Sequence, residues 1–589
     1  MRVSFLSFLF FLGFVFTGHA QRVIADTSYS INSVIRVSRL MNVYENPETG
    51  NIHLFYRMEN MVNGRAFFSY EFSPDLKLLR AEREEEEYSK DEKLRRYFPN
   101  YRGEFFQQEG FEVRQNFAIG AKQTIQFVKY TDTWRWNWFW RDYMVERFIR
   151  QSVDMEKIDG EKYYLVHQFY HAGLNKVFAW IAFKEKGKLL LQSQATGRPM
   201  LEKYQLISVD ENLQMEVVDS VNFPFKMELA RAWMLNFNDD EHYLGQYRTH
   251  EIPDPMARMV YLFAPSGGLY TGNKDKDEGN WRMLLMDWKG KAKWVDLDLP
   301  AGGWKITDVL HRNDTILIWG PAKAGRYFNS LPGDYTNEIT KNAAKYKTFQ
   351  IARIIGDKVD TVVAYPFKAF RSMADKQAKR LRHAYRGKQF HFSYSKMGPN
   401  GELFIGGQKI EEDQVKVENP NGGESTQTRT IRTGYRQPIL MCFNGALKLQ
   451  KVYGYRLYHK LSQRDDAVNP MWVHYNDKGE IFWEVSELWD LRQYGYSEPM
   501  FTNNAFLTYF GPTIFTSMNK YLFFPRLHKI NPAKGTILAP VNVGLNDKGR
   551  QRFYSDNFVP FKRLSDGSVL YIGYDGTYSR LWIARVALD

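Results

Sequence analysis

Along most of the chain, short runs rich in β-branched and aromatic residues alternate with polar clusters in which Asn, Asp and Gly stand out. These three residues accept the positive backbone angles of tight hairpins, and the runs behind them suit a pleated sheet, so each unit reads as a turn followed by a strand. The pattern recurs in ETGNIHLFYR from Glu48, IDGEKYYLVHQ from Ile158, NDDEHYLGQYR from Asn238, RNDTILIWGP from Arg312, GPNGELFIGGQ from Gly398, NDKGEIFWEVS from Asn476, SMNKYLFFPR from Ser517 and SDGSVLYIGYD from Ser565. A second family of hairpins falls between them: YEFSPDLKLL from Tyr70, LISVDENLQMEVV from Leu206, LLMDWKGKAKWVDL from Leu284, ARIIGDKVDTVV from Ala352 and LMCFNGALKLQKVY from Leu440.

Two hairpins make a four-stranded meander. Meanders recurring at irregular intervals predict an all-β protein, a β-propeller of about seven blades with eight as the upper count, carrying long loop or helical insertions. The last segment, SDGSVLYIGYDGTYSRLWIARVALD, supplies three strands and then stops. The strand-like segment RVIADTSYSINSVIRVSRL from Arg22 is expected to supply the fourth and close the ring, which removes an open sheet edge. Two stacked β-sandwich domains are the competing architecture, but no Pro/Gly/Ser-rich linker divides the chain.

The first twenty residues, MRVSFLSFLFFLGFVFTGHA, combine an early Arg2, an apolar run and a small-x-small end, the pattern of a secretory signal. The apolar run is shorter than a spanning helix needs. Residues 21–589 then form a single propeller domain with insertions near 82–110, 131–157, 366–390 and 411–434. The only cysteine, Cys442, sits in the apolar setting Ile-Leu-Met-Cys-Phe, so no intramolecular disulfide can form and Cys-rich zinc sites are excluded. An exported chain of 589 residues held by its core alone suits a bacterial envelope, in the periplasm or at the cell surface. A formal net charge of +13 favours acidic partners. Nucleic acid does not suit that compartment.

Three polar segments interrupt the repeat. Residues 82–96 (EREEEEYSKDEKLRR) have the acidic start and basic end of a short exposed helix. Residues 368–388 (KAFRSMADKQAKRLRHAYRGK) place Arg371, Lys376, Lys379, Arg380, Arg382 and Arg386 around a predicted helix that could dock on an anionic glycan, lipid headgroups or an acidic protein. Residues 411–432 read as a polar flexible loop.

In Thr133-Trp134-Arg135-Trp136-Asn137-Trp138-Phe139-Trp140, strict alternation puts Trp134, Trp136, Trp138 and Trp140 on one face of a strand, either as core packing or as a platform for sugar rings or a protein. His167 and His171 have a metal-compatible spacing but lack an adjacent general base, so a structural role is expected. Asp239, Asp240, Glu241 and His242 occupy a repeat turn and read first as turn chemistry. Glu402, Glu480 and Glu484 lie on or beside strands that could face the axis, and a glycosidase would need two such carboxyls opposed across a bond. No compact motif for a nucleophilic serine, a phosphate loop, a zinc protease or an EF-hand is present. The sequence therefore implies no catalytic residue, no cofactor and no metal site. It predicts an exported, non-enzymatic β-propeller acting as an interaction scaffold, with an envelope protein of outer-membrane export or assembly machinery as partner and peripheral association with the outer membrane. The alternative is a secreted propeller that binds or cleaves an acidic polysaccharide.

Overall fold

The computed structural model describes residues 22–30, 38–58, 66–85, 108–116, 124–137, 142–155, 162–171, 173–184, 191–192, 199–235, 241–243, 256–265, 281–297, 299, 303–323, 338–339, 346–380, 386–418, 426–457, 468–498, 514–546, 549–556 and 559–589. The signal segment, Trp138, Trp140, Arg382, Asp239 and Asp240 lie outside the described residues. The strands are β1 (Arg22–Ser30), β2 (Ser38–Glu45), β3 (Ile52–Met58), β4 (Ala66–Phe72), β5 (Leu78–Glu85), β6 (Gln108–Asn116), β7 (Thr124–Asn137) and β8 (Asp142–Asp154). They continue with β9 (Lys162–His171), β10 (Lys176–Lys184), β11 (Leu191–Gln192), β12 (Pro199–Val209), β13 (Met215–Leu235), β14 (Glu241–Tyr243), β15 (Arg258–Pro265), β16 (Trp281–Met286) and β17 (Ala292–Leu297). Next come β18 (Gly303–Trp304), β19 (Asp308–Arg312), β20 (Thr315–Lys323), β21 (Glu338–Ile339), β22 (Thr348–Ile355), β23 (Lys358–Pro366), helix α1 (Phe367–Ser372), β24 (Phe390–Met397), β25 (Leu403–Glu418), β26 (Thr426–Phe443) and β27 (Leu449–Gly454). The last are β28 (Met471–Tyr475), β29 (Ile481–Glu498), β30 (Ile514–Asn531), β31 (Thr536–Ile537), β32 (Val541–Asn542), β33 (Phe553–Ser555), β34 (Phe561–Arg563), β35 (Val569–Asp575) and β36 (Arg580–Ala587). The described protein is all-β, and every strand pair is antiparallel.

The chain divides into two compact units. The first comprises Met1–Glu86, Tyr458–Ser462 and Asn469–Asp589, the second Glu87–Leu457 and Gln463–Val468. In the first unit β2–β5 form one meander, and a larger sheet runs β1-β36-β35-β33-β30-β29-β28. The strand that follows the signal segment does add to the last strand: β1 pairs with β36 from Arg22↔Ala587 to Ser30↔Arg580. In the second unit the sheets are β6-β7-β8, β17-β16-β15-β13-β12-β10-β9, β18-β20-β22-β23 and β14-β24-β25-β26-β27. β13 serves two meanders, because its first half pairs with β12 and its second half, from Met227, pairs with β15.

The hairpins owe their register to one repeated device. Asp210 Oδ1 accepts the amides of Asn212 and Gln214, Asp287 Oδ1 those of Lys289 and Lys291, and Asn476 Oδ1 those of Lys478 and Glu480. The residue three places on is left-handed: Leu213 (φ 61), Gly290 (φ 82) and Gly479 (φ 74). Leucine bears a left-handed backbone at a cost of about 1–2 kcal/mol. Leu76, Leu213 and Leu447, at the same place in three turns, each bury their side chains, which returns about 1.5–3 kcal/mol, so burial outweighs strain. Glycine has a different use in the second strand of a meander. A Cβ on Gly320 or Gly573 would overlap the carbonyl oxygen of Lys305, just past β18, or of Tyr554 in β33, so only glycine lets the two backbones meet.

Several expectations are corrected. Residues 82–85 are not the start of a helix but the end of β5, where Glu82 and Arg83 pair with Ser69 and Phe68; ladder pairing overrides helix propensity. Residues 411–418 and 426–432 are not loop: they lie in β25 and β26, which pair out to Glu418↔Thr426. Ser517–Lys520 lies within β30 rather than in a turn, paired with Gly495–Arg492. Glu241–Tyr243 is a strand on the edge of β24 rather than part of a hairpin turn. Among the described residues of 368–388 there is not one continuous helix: α1 ends at Ser372, and a separate 3₁₀ turn follows at Ala378–Arg380.

Candidate functional site

The basic segment that follows β23 is tied to the second unit by its apolar residues. Phe367 and Phe370 of α1 enter a core with Trp319, Phe349, Phe392 and Phe443, and Phe370 packs edge-on to Phe349 with ring centroids 5.6 Å apart. Burying two such rings is worth about 1.5–3 kcal/mol each. Past α1 the backbone joins the outer strand of the sheet: Val452 donates to the Met373 carbonyl (3.1 Å) and Asp375 donates to the Val452 carbonyl (3.0 Å). The Asp375 carboxylate then accepts the amides of Ala378 (2.7 Å) and Gly454 (3.1 Å), which starts the 3₁₀ turn and bolts it to β27. Ala378 is buried against Gly454, where any side chain would collide with its backbone. The helix breaks here because β27 holds Ala374 through a single parallel bridge to Val452, and that pairing wins over helical propensity.

The anchoring leaves the charges outside. Lys368, Arg371, Lys376, Lys379, Arg380 and Arg386 are all exposed, and among the described residues none of their side chains makes an ion pair. The one carboxylate within the segment, Asp375, is engaged by backbone amides and does not neutralise them. The result is an array of cations on a backbone fixed by burial, able to meet a negative surface with little ordering cost at the backbone. Of the predicted binding residues, the structure thus gathers Arg371, Lys379, Arg380 and Arg386 on one anchored segment. Sequence reasoning missed Phe367, Phe370 and Asp375 as the residues that hold it. The two phenylalanines three residues apart within the cationic run were the available signal.

The candidate carboxylates do not assemble. Glu402 bonds the amide and side chain of Asn400 within its own turn. Glu480 accepts from Lys529 (2.7 Å) and Asn476 (2.8 Å), and these bonds, Lys529 first, hold it below the usual carboxylate range, the wrong direction for a general acid. Glu484 has no exposed surface; its Oε2 accepts from Tyr571 (2.8 Å) and lies 2.8 Å from His474 Nε2. Burial, and then the carboxylate, push the Tyr571 phenol far above its ordinary range, so it stays a donor. This cluster joins β28, β29 and β35 and is a structural bridge. The Glu484–Tyr571 bond alone spans 87 residues, beyond the reach of sequence spacing.

Trp134 and Trp136 lie in β7 opposite Val145 and Tyr143 of β8, as a strand requires. His171 is buried, with Nε2 3.1 Å from the Ala257 carbonyl and Nδ1 accepting the Leu174 amide, so both nitrogens serve the fold. Its neighbour His167 packs edge-on against Tyr261. Among the described residues no three His, Cys, Asp or Glu side chains converge as metal ligands, and no helix is long and apolar enough to cross a membrane. Cys442 is buried, and burial raises its thiol far above the ordinary range.

No family model matches the chain, and no curated protein matches it. Among solved structures, a Penicillium chrysogenum α-L-arabinanase complexed with arabinobiose aligns over 70% of this chain and 90% of its own, at 10% identity and a TM-score of 0.22. A eukaryotic initiation factor aligns over 87% and 89%, at 7% identity and a TM-score of 0.27. A DUF4221 family member from Bacteroides vulgatus aligns over 72% and 99%, at 10% identity and a TM-score of 0.20. Similarity this low transfers no function to the chain.

Proposed function

We propose that the chain is an exported, non-enzymatic β-propeller that serves as an interaction scaffold in a bacterial envelope, docking an acidic partner protein through the basic segment. The observation that carries this reading is the pairing of the buried anchors Phe367 and Phe370 with the exposed Lys368, Arg371, Lys376, Lys379, Arg380 and Arg386, which make no ion pair among the described residues. A plain solvated insertion would not need two buried phenylalanines and a carboxylate clamp to hold its backbone. On this reading residues 21–589 form one propeller of about seven blades, eight at most, the antiparallel meanders are its blades, and β1 completes the last of them. The signal-like residues 1–20 support export, and an outer-membrane export or assembly machine, met peripherally, is the setting.

Two further observations favour a scaffold over catalysis. Glu402, Glu480 and Glu484 are each committed to bonds within the fold, and one edge of β24 is covered by the short strands β14 and β21. The rival reading, a secreted propeller that binds or cleaves an acidic polysaccharide, draws on the alternate placement of Trp134 and Trp136 in β7.

The test is affinity purification of the full chain from the native envelope, beside a variant carrying Lys368→Glu, Arg371→Glu, Lys379→Glu and Arg380→Glu. An acidic envelope protein that co-purifies with the wild type and not with the variant is the expected result. Recovery of the chain alone, together with depolymerisation of an acidic polysaccharide, would reverse the ranking.

A further inference from the structure

The strand β1 differs from the rest of its sheet. None of its nine residues is buried, whereas Leu581, Trp582, Ile583 and Ala584 of its neighbour β36 are fully enclosed. It reaches β36 from the far end of the sequence: Arg580 Nη2 donates to the Ser28 carbonyl (2.8 Å) and Arg580 Nε to the Ser28 hydroxyl (3.0 Å), across 552 residues. The fit is nonetheless specific. Trp582 Nε1 donates to Asp26 Oδ1 at 2.8 Å, and this carboxyl is raised by burial and lowered by that bond. Tyr29 donates its hydroxyl to the Leu76 carbonyl (2.6 Å), accepts the Leu78 amide (3.3 Å) and sets its ring 5.5 Å from Phe72.

β1 buries none of its own residues and comes to β36 from the far end of the sequence, so it is the strand of this pair that can part without drawing buried side chains of its own into water. What it leaves behind is costly: the β36 ladder edge and the Trp582 indole N–H lose their partners, so the vacated edge demands a strand of matching register. We propose that the β36 edge accepts β1 from a second copy of this chain in place of its own, forming a strand-exchanged assembly. The occupant is a second copy because the edge reads Asp26, Ser28 and Tyr29 at fixed positions of the register, a pattern this chain itself carries. This surface lies in the first unit and is independent of the partner proposed for the basic segment.

The test mixes full chains carrying Arg22→Cys with full chains carrying Ala587→Cys, residues that face each other in the register. A short bismaleimide linker then traps strands that have exchanged; the natural Cys442 is buried. A chain carrying both substitutions crosslinks internally and reports that the register is intact. The expected result is a covalent dimer in the mixture, reduced at least tenfold by excess synthetic peptide of residues 22–30 and not by the same peptide with Asp26→Lys and Tyr29→Ala. A mixture that stays monomeric while the doubly substituted chain closes on itself overturns the proposal, as does a dimer indifferent to both peptides.

Discussion

Glu484 and the described cations of the 368–386 segment are all held by buried neighbours, yet they treat their charge in opposite ways. Glu484 has no exposed surface and two ring-bearing partners, Tyr571 and His474, at 2.8 Å, whereas Lys368, Arg371, Lys376, Lys379, Arg380 and Arg386 are exposed and make no ion pair among the described residues. A buried carboxylate needs neighbours to replace the water it has lost, and Tyr571 and His474 do so at Oε2, while Oε1 has no hydrogen-bond partner among the described residues. Exposed, unpaired cations contribute almost nothing to folding, and the anchors beneath them present charge rather than consume it. The first region explains stability. The second is free to explain binding.

The comparison breaks first at Glu484. Glu484→Ala leaves His474 and Tyr571 facing a cavity and should cost about 3–5 kcal/mol in urea unfolding, the usual range for breaking a buried charge cluster. A loss near zero would mean that the cluster is not structural. Next in size is the acid response of the first unit. Burial pulls His528, 3% exposed, down from 6.5 to about 4, so the unfolded chain binds its proton first. Stability should hold above pH 6.5 and fall by about 3 kcal/mol as pH drops towards 4, and His528→Phe should flatten that decline. Tyr571→Phe, which removes only one donor to Glu484, should cost about 2 kcal/mol. Leu447→Gly relieves a left-handed leucine but empties its buried site, for a net loss of about 1 kcal/mol by thermal unfolding. Smallest of all, the fourfold reversal at Lys368, Arg371, Lys379 and Arg380 should change stability by less than about 0.5 kcal/mol. A large loss there would show that these charges do serve the fold.

Local chemistry was legible in the sequence wherever one residue decides it. Asp210, Asp287 and Asn476 announce their turns because their side chains bond amides two and four residues away, and the strands behind them follow. Non-local choices were not legible. Residues 368–388 carry helical propensity, but β27 takes Met373 and Asp375 as ladder partners, a contact made across more than seventy residues. The same override turns Glu82 and Arg83 into strand and carries β30 straight through Ser517–Lys520. The cations of the candidate site could be read directly, since charge and exposure follow from residue type. Their clamp, Asp375, and the tie from Glu484 to Tyr571 could not, because each bond joins strands that only the folded sheet brings together.

The central claim is tested most directly by the salt dependence of binding to an acidic peptide. Fluorescence anisotropy of labelled polyglutamate, titrated with the full chain and with the fourfold charge-reversed variant at low and physiological ionic strength, separates the cationic segment from the general positive charge of the protein. The account predicts wild-type binding that weakens as salt rises and a variant at least tenfold weaker at low salt with unchanged stability. Equal binding by both proteins would contradict it.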